Sequence, residues 1–136
     1  MNVTRKVLVL GSSGAMGQYL LPRLSELGYR IDAVSLDAAD PGLRGVTHIQ
    51  ANAKDRSVYR ELLAKNYDGI VDFLTYATGE LTWYLPQALN HTGHYMFLSS
   101  CRVFDDKEHP VRESSPRLID SSDDVLLRNS DDYCIY

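Results

Sequence analysis

Cysteine is scarce: Cys101 and Cys134 are the only two thiols in 136 residues. They show no metal-ligand spacing, which speaks against a disulfide scaffold or a zinc module and leaves free thiols in a reducing cytoplasm as the expectation. The four histidines, His48, His91, His94 and His109, are equally unpatterned and read as surface or core groups, with no metal expected. Positive charge is in deficit. Fourteen Lys and Arg face eighteen Asp and Glu, a net charge of −4, and the pI is near 5.5. That balance argues against nucleic acid or a membrane surface as the main partner. No apolar run approaches the ~20 residues of a membrane span. The opening Met-Asn-Val-Thr-Arg-Lys shows no secretory apolar region before the first strand pattern. There is no internal repeat and no low-complexity segment. What is present is ordinary for a soluble domain with a real core: 44% hydrophobic and 24% charged residues.

The strongest positive signal is Lys6-Val7-Leu8-Val9-Leu10-Gly11-Ser12-Ser13-Gly14-Ala15-Met16-Gly17. A continuous apolar run suits a strand buried on both faces of a parallel sheet. The glycines then follow as G-x-x-G-x-x-G and a helical pattern begins. A dinucleotide pyrophosphate needs this order: one glycine for the tight turn, one for close backbone approach, one for helix–strand packing. The N–H groups and dipole at the helix start then face the negative charge. Met16, Leu20, Leu24 and Leu27 are spaced for one helical face, and Gly28 stands where that helix should stop. Pro22 should kink it near Gln18. A glycine-rich turn without a ligand is the alternative.

Apolar runs and helical patterns alternate along the rest. Strands are expected near 6–10, 31–35, 46–50, 69–75 and 94–99, and helices near 15–27, 55–65 and 80–91. Asp55 is the expected N-cap of the second helix. Segment 38–45 reads as a loop rather than a crossover helix. The pattern predicts an α/β fold, a doubly wound parallel sheet with strand order 3-2-1-4-5, in one domain over 1–136. Residues 105–132 are rich in Asp, Ser and Pro and read as a long polar loop. Asp72, inside an apolar strand, reads as a carboxylate with a structural hydrogen bond, since burying it unpaired is costly. Trp83 reads as packing, and Cys101 as an inert thiol.

Four segments carry a resemblance that covers essentially the whole chain: the glycine loop; Tyr67 to Leu74; Tyr95-Met96-Phe97-Leu98-Ser99-Ser100-Cys101-Arg102-Val103-Phe104; and Pro110 to Pro116. Together they resemble the N-terminal, Rossmann portion of an extended short-chain dehydrogenase/reductase, the NAD-dependent epimerase/dehydratase family. The resemblance implies a nucleotide-binding oxidoreductase acting on a sugar nucleotide or a similar hydroxyl or carbonyl compound. Gly11, Ser12, Ser13, Gly14, Ala15, Met16 and Gly17 would take the pyrophosphate. In NAD-preferring members an acidic residue ends the second strand; that place here is Ser35, with Asp37 two residues later, able to reach the ribose if the strand runs slightly longer. Leu36 stands where NADP use would want a basic residue, so NAD is the expected cofactor and NADP stays open. Asn52 matches an adenine-contacting position, and Leu74, Thr75 and Tyr76 would border the cofactor, with capping of the core as the alternative for Tyr76. Ser100 matches the catalytic Ser/Thr of S-S-x-x-V-Y-G, although Phe104 and Asp105 replace the usual Tyr and Gly.

The resemblance also implies that Tyr133 opens the family's Y-x-x-x-K, with the lysine at residue 137, one beyond this sequence, and Tyr136 a rival for the tyrosine role. Hydride exchange with nicotinamide requires a proton to move at the substrate oxygen. A tyrosine with a free pKa of ~10 must fall by about three units to do this near neutrality, and a lysine ammonium helps. A serine hydroxyl orients and polarises that oxygen. The expectation is therefore a fragment of a longer chain, cut before its substrate-binding part, that binds cofactor weakly, if at all, and turns over nothing alone. A cytoplasmic location and a homodimer are further expectations. Two other readings remain: a non-catalytic dinucleotide sensor of the same fold, and a flavodoxin-like protein, which shares the sheet but not this glycine spacing.

Overall fold

The computed structural model describes residues 5–38 and 41–129. Strands β1 Lys6–Leu10, β2 Arg30–Ser35, β3 Val46–Gln50, β4 Gly69–Asp72 and β5 Tyr95–Phe97 form the sheet. Their order is β3-β2-β1-β4-β5 and every pairing is parallel, as expected. β1 is central, with Val9 opposite both Ala33 and Val71. Burial on both faces explains the unbroken apolar run of Val7 to Leu10, each of them buried. Alternate residues then serve opposite faces. Val7, Val9, Ile31, Ala33 and Val71 pack with Leu21 of helix α1, Ala15–Glu26.

The helical face of α1 is rotated from its expected position. Gly17 and Leu21 are its buried residues, with Leu20 and Leu24 packed against the core. Met16 and Leu27 are exposed at 54% and 57%. The chain must approach the preceding loop most closely at Gly17, and that contact fixes which side faces inward. α1 runs unbroken through Pro22 and ends at its C-cap, Leu27. Gly28 N–H donates to Ser25 O and Tyr29 N–H to Leu24 O, at 3.0 and 3.1 Å. This pair of bonds satisfies the last carbonyls where a stop was expected.

Helix α2 spans Arg56–Leu63. Its N-cap, Asp55, accepts the N–H groups of Ser57 and Val58 at 2.8 and 3.3 Å, satisfying donors that the helix itself leaves over. Tyr59 of α2 meets Tyr84 edge to face, the ring centroids 4.9 Å apart. Helix α3 covers Thr78–Leu89, with Pro86 inside it. The β2–β3 connection holds no helix among its described residues. No helix among the described residues is long and apolar enough to cross a membrane.

The chain divides into two compact units. The first runs to Leu74 and resumes over Tyr84–Leu98; the second comprises Thr75–Trp83 and the residues from Ser99 onward. Within the second, the described part of the stretch expected as a long polar loop is mostly turns and irregular chain, with two four-residue helices in it. A 3₁₀ turn over Cys101–Val103 precedes α4, Leu118–Ser121, and α5, Val125–Arg128. Phe104 bridges to Arg117, and Asp105 N–H donates to Pro116 O at 2.8 Å. Asp105 is buried; its carboxylate accepts from Lys107 and from Ser121 Oγ, tying the turn to α4. The carboxylate at 105, where the resembled pattern has a glycine, thus has a structural use.

Candidate functional site

The glycine loop leaves β1 at Gly11, whose φ of +76° suits glycine. The N–H groups of Gly11 and Ser12 both donate to Val34 O at 3.0 Å, and Gly14 N–H donates to Gly11 O at 3.2 Å. Gln18 Nε2 closes the loop onto Ser13 O at 3.1 Å. A Cβ on Gly17 would lie 2.1 Å from Ser12 O, so the helix and the loop backbone are in contact there. Gly14 differs. Its φ and ψ of −67° and 168° are open to any residue. A Cβ there would meet only Gly11 O, at 3.4 Å. Space is therefore kept over an exposed loop, the cradle a close-lying ligand needs. Gly14 is also the N-cap of α1, and it brings no side chain to the first-turn donors; the first turn carries no acidic residue either. Ala15 and Met16 thus offer backbone N–H groups at the positive end of the helix, while the Met16 side chain stays exposed.

A recess of about 340 Å³ lies over this loop. Gly11, Ser13 and Gly14 line it from the loop, Ser35 and Asp37 from the end of β2, Asn52 from the end of β3, and Leu74 from the end of β4. The fold thus brings together seven residues that sequence reasoning assigned to a cofactor. Lys54 and Ala53 also line it and were missed, because a lone lysine and a small apolar residue carry no pattern. Ser13 and Ser35 line a second recess too, of about 280 Å³, beside His48 and Leu21.

The strand-end residues are each held in place. β2 ends at Ser35 and does not run on, yet Asp37 reaches the recess because the chain bends after it. Ser35 is buried, and its hydroxyl donates to Asp37 O at 3.1 Å. Asn52 Oδ1 accepts Lys54 N–H at 3.0 Å, and Lys54 O accepts the Tyr84 hydroxyl. β4 stops at Asp72, short of the expected 75. The fully buried Asp72 carboxylate accepts Leu74 N–H at 2.9 Å and the Tyr95 hydroxyl at 2.8 Å. A side chain thereby replaces the next ladder bond and turns the backbone out of the sheet. β5, expected over 94–99, likewise shortens to Tyr95–Phe97 where its partner ends. Burial pushes the Tyr95 phenol up, and the Asp72 charge and hydrogen bond add to this.

In the second unit, Ser100 caps the 3₁₀ turn. Its Oγ accepts Arg102 N–H at 3.2 Å, a bond that leaves its own proton available for donation. Cys101 is an exposed free thiol. Thr75 is exposed. Tyr76 is 2% exposed, as the core-capping alternative for it requires. Tyr133, Cys134 and Tyr136 lie outside the described residues.

The model of the NAD dependent epimerase/dehydratase family matches residues 7–121, well over half of the chain. The chain belongs to that family. Solved structures share the fold. The UDP-Glc/GlcNAc 4-epimerase of Campylobacter jejuni superposes with a TM-score of 0.69 at 18% identity, over 83% of this chain and 43% of that one. The UDP-glucose 4-epimerase of Bifidobacterium longum, in complex with NAD+ and UDP, gives 0.67 at 21% identity, over 82% and 42%. The NAD-complexed uronate dehydrogenase mutant of Agrobacterium tumefaciens gives 0.59 at 21%, over 75% and 43%. The chain spans about two fifths of the length of these structures. A comparison with curated protein sequences found no match.

Proposed function

We propose that this chain is the NAD-binding part of an oxidoreductase of the epimerase/dehydratase kind, acting on a sugar nucleotide or a similar hydroxyl or carbonyl compound. The carrying observation is the single recess that unites Gly11, Ser13, Gly14, Asp37, Asn52 and Leu74. In this reading Gly14 and the α1 donors receive the pyrophosphate, Asp37 accepts from the adenosine ribose hydroxyls, and Asn52 faces the adenine. Leu74 shields the nicotinamide end from water. The bound dinucleotide supplies a hydride acceptor or donor. Ser100 orients the substrate oxygen, and Tyr133 moves its proton. The sugar-nucleotide class is suggested by the two 4-epimerases of similar fold. Turnover rests on a lysine that the family pattern places at 137, so the chain by itself is expected to be inactive.

The test is calorimetric titration of the chain with NAD and with NADP, repeated on Gly14→Ala and Gly14→Val. Neither substitution meets backbone closer than 3.4 Å at its Cβ, so both variants should fold. NAD binding that weakens with Ala and vanishes with Val supports the proposal. Binding that neither substitution changes overturns it.

A further inference from the structure

The turn after β2 is tied down by side chains that play no part in the sheet. Ser35 Oγ donates to Asp37 O at 3.1 Å. A serine has one hydroxyl proton, and this bond commits it. His48 Nε2 lies 3.0 Å from the same Oγ, so the imidazole must be the donor there, with its hydrogen on Nε2. From the neighbouring position on β3, Gln50 Nε2 donates to Leu36 O at 3.1 Å. The register explains the meeting: His48 stands opposite Ala33, and Ser35 opposite Gln50. Ser35 and His48 are therefore diagonal neighbours on one face. Two exposed residues are thus anchored, Asp37 through a serine that is 5% exposed and Leu36 through Gln50.

We propose that His48 is a positioning residue for cofactor choice. Through Ser35 it holds the Asp37 backbone, so that Asp37 is kept at the edge of the recess it lines. This inference rests on the reading of the recess as an NAD site with Asp37 at the ribose. A carboxylate carried on a held backbone has less freedom to lose on accepting from the ribose hydroxyls. It also meets a 2′-phosphate with like charge, which disfavours NADP. Ser35, at the place where an acidic residue would otherwise sit, acts as the link rather than as the ligand.

The experiment compares NAD and NADP affinities of the wild-type chain, Asp37→Asn, His48→Leu, His48→Gln and the Asp37→Asn/His48→Leu double variant. Asp37→Asn should cut the NAD/NADP preference roughly tenfold or more, the scale of one hydrogen bond to a charged group. His48→Leu should shift the preference in the same direction. His48→Gln, whose amide N–H can replace Nε2–H, should restore most of it. The double variant should match Asp37→Asn alone, because the histidine acts only through that carboxylate. Without any ligand, His48→Leu should also speed amide exchange over 36–38. A merely structural histidine would lower both affinities together. An unchanged ratio in His48→Leu, no rescue by glutamine, or additivity with Asp37→Asn overturns the proposal while Asp37 stands. An unchanged ratio in Asp37→Asn overturns the underlying reading, and the role of His48 with it.

Discussion

Asp72 shows what one buried carboxylate does at a strand end. It is fully buried and accepts from the Leu74 amide and the Tyr95 hydroxyl. One bond turns the chain toward the recess and the other ties that turn to β5. Asp72→Ala leaves two half-buried donors without this acceptor, and each such loss costs about 1 kcal/mol. The expected outcome in a denaturant titration is a lower midpoint, accompanied by weaker NAD binding because Leu74 is released. Asp72→Asn keeps an acceptor for Leu74 and should lose less of both. Sequence reasoning recognised that this carboxylate needed a partner. The partner itself, Tyr95, lies 23 residues away, beyond the reach of any local pattern.

At the scale of elements, the glycine loop and α1 form one unit whose three glycines differ in kind. Gly11 answers a backbone angle, Gly17 a contact with the Ser12 backbone, and Gly14 an open space. Gly17→Ala must push the helix away from the loop, since the obstruction is backbone rather than a flexible side chain. Overpacking of this type costs about 1–3 kcal/mol. A thermal melt should show Gly17→Ala destabilised while Gly14→Ala stays within about 0.5 kcal/mol of wild type. Equal losses in both would refute the distinction. The spacing of the glycines was legible in the sequence, but their separate duties were not. The same close approach at Gly17 turned Met16 and Leu27 outward, where apolar periodicity alone had placed them inward.

Across the whole molecule, buried carboxylate–phenol pairs set the response to pH. Burial pushes the Asp32 carboxyl up, but hydrogen bonds from Tyr67 and Lys65, with the charges of Lys65 and Lys6, outweigh it and hold the group below the usual carboxylate range. The contacts are 2.8 Å to Tyr67, 3.2 Å to Lys65 and 3.5 Å to Lys6. A folded-state value below the unfolded one contributes stability that is present above about pH 3.9 and lost as pH falls through the folded value. Acid unfolding should therefore steepen below about pH 4, and Asp32→Asn should flatten that limb. The phenols behave in the opposite sense. Burial raises Tyr59, Tyr67 and Tyr95, and the charges of Asp72 and Asp32 add to it. Their contribution is present below about pH 10 and lost as pH rises through the raised values. In an alkaline titration the phenolate absorbance of these three should appear only together with unfolding.

The sequence by itself determined the class of fold, the order of the strands, the glycine loop and the N-cap of α2. Each of these rests on local rules: strand and helix periods, turn chemistry and the right-handed crossover. The lengths of β4 and β5, the inward face of α1 and the two short helices after Pro116 were decided only in the tertiary structure. So was the anchoring of Asp37 through Ser35 and His48. These depend on side chains far apart in sequence competing for the same backbone groups and the same space, and packing settles that competition only once the sheet has brought the chain's distant segments together.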